Sequence, residues 1–182
     1  MATDLKHRKL GYADYERIPP DGKRHEILDG ELYVTPAPAP LHQRLSKRLQ
    51  RQLEAYFESR GLAEVFNAPV DLILGEHDIV QPDLLGVADP AQVTSRAIEK
   101  APLLVVEVLS PSTRALDRAV KMRRYAELGI RHYWILDPEI VRLECLRLDA
   151  GVYRAVAEAS APDQLRLPEW PELVIDLAAL SR

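Results

Sequence analysis

Two carboxylates and one lysine carry the chemistry this chain is equipped to do. Pro82-Asp83 closes one apolar run, and Glu107 sits inside another, Leu103-Leu104-Val105-Val106-Glu107-Val108-Leu109. A carboxylate in such a run is costly to bury unless it holds a proton, a cation or a metal, so Glu107 calls for a partner. Lys121 follows further along, with Asp117 four residues before it and Tyr125 four after. On a helix these three share one face at i, i+4 and i+8. Asp, Glu and Lys gathered at a sheet edge are the groups used in metal-assisted phosphodiester hydrolysis. A hard divalent cation such as Mg²⁺ or Mn²⁺ takes carboxylate, carbonyl, water and phosphate oxygens. Asp83 and Glu107 fit as its ligands, with the carbonyl of Val108 as a third. Lys121 fits as the ammonium that stabilises a pentacovalent transition state. Each position also has a plain structural explanation. Asp83 after a proline suits a turn at a strand end. Asp117 and Lys121 suit an exposed helical ion pair worth about 0.3–0.5 kcal/mol. Glu107 would then be neutralised by a Lys or Arg of the neighbouring helix.

The elements that must position these groups are legible in outline. Tyr12 to Arg17 reads as a short helix, and Arg24 to Val34 as a hairpin about the two-residue turn Asp29-Gly30. From Leu41 to Arg60 apolar residues recur at Leu41, Leu45, Leu49, Leu53 and Tyr56/Phe57, one helical face, with Gly61 placed as its C-terminal cap. Ala63 to Leu74 and Asp78 to Val87 read as a second antiparallel pair ending at Pro82-Asp83. Pro90 to Glu99 is a weak helix or loop. Leu103 to Leu109 is short, branched and continuous, the pattern of a strand buried on both faces. Helical spacing returns over Ala115 to Leu128, Gly129 stops it, and His132 to Leu136 is the next strand. Strand, crossover helix and strand form the right-handed parallel unit, which sets these two strands side by side or nearly so. Val141 to Leu148 and Val152 to Ala157 give a last hairpin, and Leu165 to Leu180 a packing tail. The expected fold is α/β, a mixed central sheet flanked by helices, with an N-terminal hairpin.

In order and spacing, Pro82-Asp83, then Val106-Glu107-Val108-Leu109-Ser110-Pro111-Ser112-Thr113, Asp117, Lys121, Tyr125 and Gly129-Ile130-Arg131-His132-Tyr133-Trp134-Ile135-Leu136-Asp137-Pro138 resemble the Uma2 (DUF820-like) family. The likeness extends upstream to His25-Glu26-Ile27-Leu28-Asp29-Gly30-Glu31-Leu32 and His42, and downstream to the Leu173 to Leu180 tail. That family is a branch of the PD-(D/E)XK superfamily of restriction-type nucleases. The resemblance implies a restriction-endonuclease-like core, a metal-dependent DNA endonuclease and DNA as substrate. It implies Asp83, Glu107 and Lys121 as catalytic residues, and Glu26 as a further acid that reaches the metal, against the plain alternative of an edge-strand Glu facing solvent. In the simplest form of the superfamily motif the lysine stands two residues after the glutamate. That position here is Leu109, and Lys121 matches branches in which the lysine has moved to the following helix. His42 matches a family position, although capping explains a histidine at a helix start as well. His132 stands where many relatives carry Glu. Ser110, Ser112 and Thr113 suit either phosphate contact or capping of the helix that follows.

Composition sets the bounds. The 182 residues, 47% of them apolar, suit one domain spanning 1–182. Met1 to Leu10 is charged, and no run reaches the roughly 18 apolar residues of a membrane span, so a cytoplasmic location and no membrane partner are expected. Cys145 is the only cysteine, which excludes an intrachain disulfide and a thiolate zinc cluster; it reads as a buried structural thiol. A net charge of −4 argues against a broad basic DNA-binding surface. Local clusters remain at Arg44, Lys47, Arg48 and Arg51, and at Arg114, Arg118, Lys121, Arg123 and Arg124. Cleavage of both strands of a duplex suggests a homodimer, with Tyr133, Trp134 or Trp170 as candidate interface residues. A nuclease-like nucleic-acid-binding protein without catalysis, and a protein-interaction module whose carboxylates serve only in ion pairs, are the alternatives.

Overall fold

The computed structural model describes residues 8–181. Of the charged stretch Met1 to Leu10, residues 1–7 lie outside the described residues. Three sheets and four helices follow in the order α1 (Tyr12–Tyr15), β1 (Arg24–Leu28), β2 (Glu31–Thr35), α2 (Pro40–Phe57), β3 (Glu64–Asn67), β4 (Leu72–Gly75), β5 (Asp78–Val80), β6 (Leu84–Val87), β7 (Ile98–Glu99), β8 (Leu104–Val108), α3 (Met122–Glu127), β9 (His132–Asp137), β10 (Arg142–Asp149), β11 (Val152–Ser160), β12 (Gln164–Arg166), β13 (Val174–Asp176) and α4 (Leu177–Ser181). A π-helical segment, Leu116–Lys121, leads directly into α3.

The larger sheet has the order β11-β10-β9-β8-β6-β3, and its only parallel pair among the described residues is β8 with β9, Leu104 opposite His132 through Val108 opposite Leu136. The strand, helix, strand unit is therefore as the sequence predicts, and the sheet is mixed. Its central strands are buried on both faces, which explains their unbroken apolar composition. On one face Leu104, Val106, Val108, Trp134 and Leu136 pack with Leu45, Leu49, Leu53 and Phe57 of α2. On the other, Val105, Leu109, Tyr133 and Ile135 pack with Tyr125 of α3 and with Leu28, Leu72 and Val80 of the smaller sheet, ordered β2-β1-β5-β4-β7. By the strand period of two, Glu107 belongs to this second face.

The expected hairpin of Ala63 to Leu74 with Asp78 to Val87 is corrected. Each run splits into two strands: β4 pairs with β5 in the smaller sheet, while β3 pairs with β6 in the larger one. The breaks fall at Ala68-Pro69 and Gln81-Pro82, where proline withholds a ladder donor. The N-terminal hairpin is as predicted. Asp29 (φ 51°) and Gly30 (φ 83°) both take left-handed angles, the requirement of a type I′ turn. Tyr133 and Trp134 are fully buried, so neither is available to a dimer interface.

Candidate active site

The carboxylates come from both sheets. In the larger one, Leu84 pairs with Val106 and Leu85 with Val105, and the same register carried one residue on sets Asp83 across from Glu107. The backbone N–H of Val108 donates to Asp83 Oδ2 at 2.8 Å. Glu26 comes from the middle of β1 in the smaller sheet, where its Oε1 accepts the backbone N–H of Gln81 at 2.9 Å. Both Glu26 and Glu107 are 1% exposed, so the edge-strand explanation of Glu26 is set aside.

Lys121 is the hub. Its ammonium donates to Glu107 Oε1 and Glu26 Oε1, each at 3.0 Å, and lies 3.6 Å from Asp117 Oδ1. At 2% exposure it is not the solvated half of a surface ion pair, and Asp117 at 1% is equally enclosed. The helix that delivers it is wound wide: over Leu116–Lys121 the backbone bonds i to i+5 rather than i to i+4. Asp117, Lys121 and Tyr125 nonetheless all turn inward. Tyr125 Oη donates to Glu107 Oε1 at 3.1 Å, and Tyr133 Oη donates to the carbonyl of Asp117 at 3.0 Å. Asp83 heads a second set of contacts, with Arg24 donating to Oδ1 at 3.0 Å and His42 Nε2 3.0 Å from Oδ2.

Three carboxylates around one ammonium leave an excess of buried negative charge. Burial pushes the Glu107 carboxyl well above its ordinary range, against the pull of Lys121, and burial likewise raises Asp117. Burial opposes the charged form of Lys121 too, but Glu107, Glu26 and Asp117 together raise it well above an ordinary lysine. For Asp83, burial is outweighed by the His42 hydrogen bond, the Arg24 charge and the Val108 N–H, and its carboxyl is held low. One oxygen of Glu26, Oε2, lies 2.9 Å from Lys121 Nζ but off the direction of a hydrogen bond; it and Asp117 Oδ1 are buried acceptors with no hydrogen-bond partner among the described residues. Hard, partly unsatisfied carboxylate oxygens are the donor chemistry a divalent cation of the Mg²⁺ type requires. Among the described residues, however, no three His, Cys, Asp or Glu side chains are gathered closely enough to hold a metal ion.

Two cavities border the Asp83 side of this centre. One, of roughly 300 Å³, is lined by Asp83 together with Gln43, Ser46, Lys47, Gln50 and Asn67. The other, of roughly 180 Å³, is lined by Arg24, His42 and the Ser110–Thr113 loop. His132 takes no part. It pairs with Leu104 at the far end of the parallel strands, packs 4.5 Å from the Trp170 ring, and burial lowers its pKa to about 4. Much of the second basic cluster is tied down: Arg114 pairs with Asp137, Arg118 with Glu144 and Arg124 with Asp78. Arg24 and the Gln81 N–H were not anticipated from sequence. Arg24 shares the strand period of Glu26 and Leu28, which is a usable signal; a backbone donor leaves none.

A mixed sheet flanked by helices, with a buried acid on a central strand and a lysine from the helix that follows it, is a nuclease-like architecture. A family model described as "Putative restriction endonuclease", Uma2, matches residues 12–178, and the chain belongs to that family. Among curated proteins it is 34% identical over 147 residues to the uncharacterized protein slr1290 of Synechocystis sp. (strain ATCC 27184 / PCC 6803 / Kazusa), covering 80% of this chain and 77% of that protein. Among solved structures it matches a protein described as a "putative nuclease belonging to DUF820" from Anabaena variabilis ATCC 29413. The TM-score is 0.74 at 16% identity, covering 94% of this chain and 97% of that one, which shows a shared fold. No helix among the described residues is long and apolar enough to cross a membrane.

Proposed function

We propose that the chain is a divalent-metal-dependent DNA endonuclease. The observation that carries this reading is the convergence of Glu107, Glu26 and Asp117 on Lys121, with Asp83 across the strand from Glu107 and at the wall of an open cavity. Asp83, Glu107, Glu26 and the Val108 carbonyl are the groups that would hold Mg²⁺ or Mn²⁺. Such an ion supplies an acidified water and withdraws charge from the phosphoryl oxygens. In this reading Lys121, held by two glutamates at 3.0 Å, is the group that donates to the charge developing on the scissile phosphate. Tyr125 fixes Glu107, while Arg24 and His42 fix Asp83, so neither carboxylate has to search for its rotamer. A homodimer acting on both strands of DNA belongs to this reading, with its interface away from Tyr133 and Trp134.

The test is cleavage of supercoiled plasmid by purified protein with Mg²⁺, Mn²⁺ or EDTA, beside Asp83→Asn, which keeps the side-chain shape. Nicking that needs metal and disappears in the variant is the expected result; equal metal-dependent nicking by both would sink the assignment. A second reading, a nuclease-like binding or interaction module without catalysis, is favoured by one observation: Lys121, Arg24 and His42 already occupy oxygens of Glu26, Glu107 and Asp83. Divalent-metal affinity separates the two, because a module of that kind has no use for the ion.

A further inference from the structure

The loop Ser110-Pro111-Ser112-Thr113 precedes the helix that carries Lys121, and it lines the smaller cavity together with the segment 36–39, Arg24 and His42. Arg24 and the three hydroxyls of this lining offer protons. The guanidinium of Arg24 has five N–H donors, of which Asp83 takes one at 3.0 Å. The hydroxyls of Ser110, Ser112 and Thr113 form a cluster, Ser110 Oγ lying 3.0 Å from both Ser112 Oγ and Thr113 Oγ1. Two contacts consume two of the three hydroxyl protons, so at least one points out of the cluster. The loop also stands at the positive end of the helix.

His42 is the independent observation. It is 7% exposed, its Nε2 is engaged with Asp83, and its Nδ1 has no hydrogen-bond partner among the described residues. With Nε2 donating to Asp83, Nδ1 is an acceptor, and a buried acceptor without a partner is costly unless a water held with the ligand, or a hydroxyl of the ligand itself, completes it. At roughly 180 Å³ the cavity has room for a tetrahedral anion with a few waters, each needing about 30 Å³. Donors on separate walls suit an anion with oxygens in several directions better than a planar carboxylate.

We propose that the cavity between the Ser110–Thr113 loop, Arg24 and His42 is a phosphate subsite, holding a nucleic-acid phosphate other than the one cleaved. The assignment rests on the nuclease reading for the origin of the phosphate. Two sources share that chemistry, an internal diester next to the scissile bond and a terminal 5′-phosphate. Because Arg24 and His42 also hold Asp83, an occupied subsite bears directly on the carboxylate beside the scissile position.

Calorimetric titration of the full chain in EDTA tests this, with inorganic phosphate, thymidine 5′-phosphate and the dinucleotide TpT lacking a terminal phosphate as probes. Saturable binding of inorganic phosphate is expected. Ser112→Glu, an exposed position whose charge would oppose the anion at the mouth, should weaken it at least about tenfold, the loss of roughly one charge-assisted hydrogen bond. Thr113→Val, close to isosteric, should weaken it in the same direction. Lys47→Glu, on the other cavity, should leave it unchanged. Equal binding of TpT and thymidine 5′-phosphate identifies the internal diester, and binding of the latter alone identifies a chain end; either supports the subsite. Absence of saturable phosphate binding, unchanged affinity in Ser112→Glu, or phosphate binding with neither nucleotide would overturn it. Plasmid nicking by a protein that binds no phosphate in EDTA removes the subsite and keeps the nuclease. Phosphate binding by a protein that never nicks does the reverse.

Discussion

Replacing Lys121 by Met removes the one ammonium shared by three buried carboxylates. At an effective dielectric of about 20, each contact near 3.0 Å is worth about 5.5 kcal/mol of Coulomb attraction. The contact to Asp117 at 3.6 Å is worth about 4.6 kcal/mol. Most of this is offset by the desolvation of Lys121 and by the ease with which Glu107 takes up a proton once its partner is gone. Breaking a buried pair from one side costs about 3–5 kcal/mol net, and that is the loss expected for Lys121→Met at pH 8. The loss has a defined pH dependence. Glu107 and Asp117 already have raised carboxyl pKa values, and without Lys121 they rise further, so the folded variant binds protons that the unfolded chain does not. Its stability therefore increases as pH falls below 8, and the gap from wild type narrows toward pH 5. Urea unfolding followed by the fluorescence of Trp134 and Trp170 measures both quantities. Adding Glu107→Gln to Lys121→Met should recover part of the loss at pH 8, because it removes one of the stranded charges. A Lys121→Met protein within about 1 kcal/mol of wild type at pH 8, or equally destabilised at pH 5 and pH 8, would refute the claim that the carboxylates depend on this ammonium.

Gly30→Ala should cost about 1 kcal/mol or more, because Gly30 has φ 83° and an added Cβ would overlap Lys9. For a chain of this size each kcal/mol lowers the melting temperature by about 2–4 °C, and a melt unchanged from wild type would contradict the type I′ geometry. His132 should titrate near pH 4 in a proton-resolved NMR titration, because burial disfavours its charged form. Its contribution to stability therefore declines as pH falls from the ordinary histidine value of about 6.5 toward 4, and His132→Phe should flatten that part of the stability profile; an ordinary titration near 6.5 would show the ring to be solvated.

Local pattern carried much of the architecture. The Asp29-Gly30 turn, the apolar face of α2 from Leu45 to Phe57, and the β8, helix, β9 unit are each written in one continuous stretch of sequence. What pattern could not show is where a strand goes when a proline interrupts it. Ala63 to Leu74 looks like one extended run, yet the chain changes sheets at Ala68-Pro69, because which sheet a strand joins is decided by packing partners far away in sequence. The carboxylate problem was legible in the same uneven way. Glu107 in an apolar strand announces that it needs a cation, and Lys121 supplies one, with Asp117 and Tyr125 inward beside it. That Glu26 would share the same ammonium depends on the docking of the smaller sheet, to which β1 belongs. The wide turn over Leu116–Lys121 has no marker residue, since Leu, Asp, Arg, Ala, Val and Lys are as suited to an ordinary helix.

Between β3 and β6 the chain leaves the larger sheet, builds β4 and β5 in the smaller one, and returns. The two sheets are in this way sewn together by a continuous stitch rather than merely stacked. The ladder of β3 with β6 in one sheet and that of β4 with β5 in the other are thus nested in one stretch of chain. The centre around Lys121 sits at that seam, with Glu26 on one cloth and Glu107 on the other. Amide exchange should find the Gln81 N–H, which bonds Glu26 just where the chain leaves the smaller sheet for the larger, opening with the whole molecule rather than ahead of it.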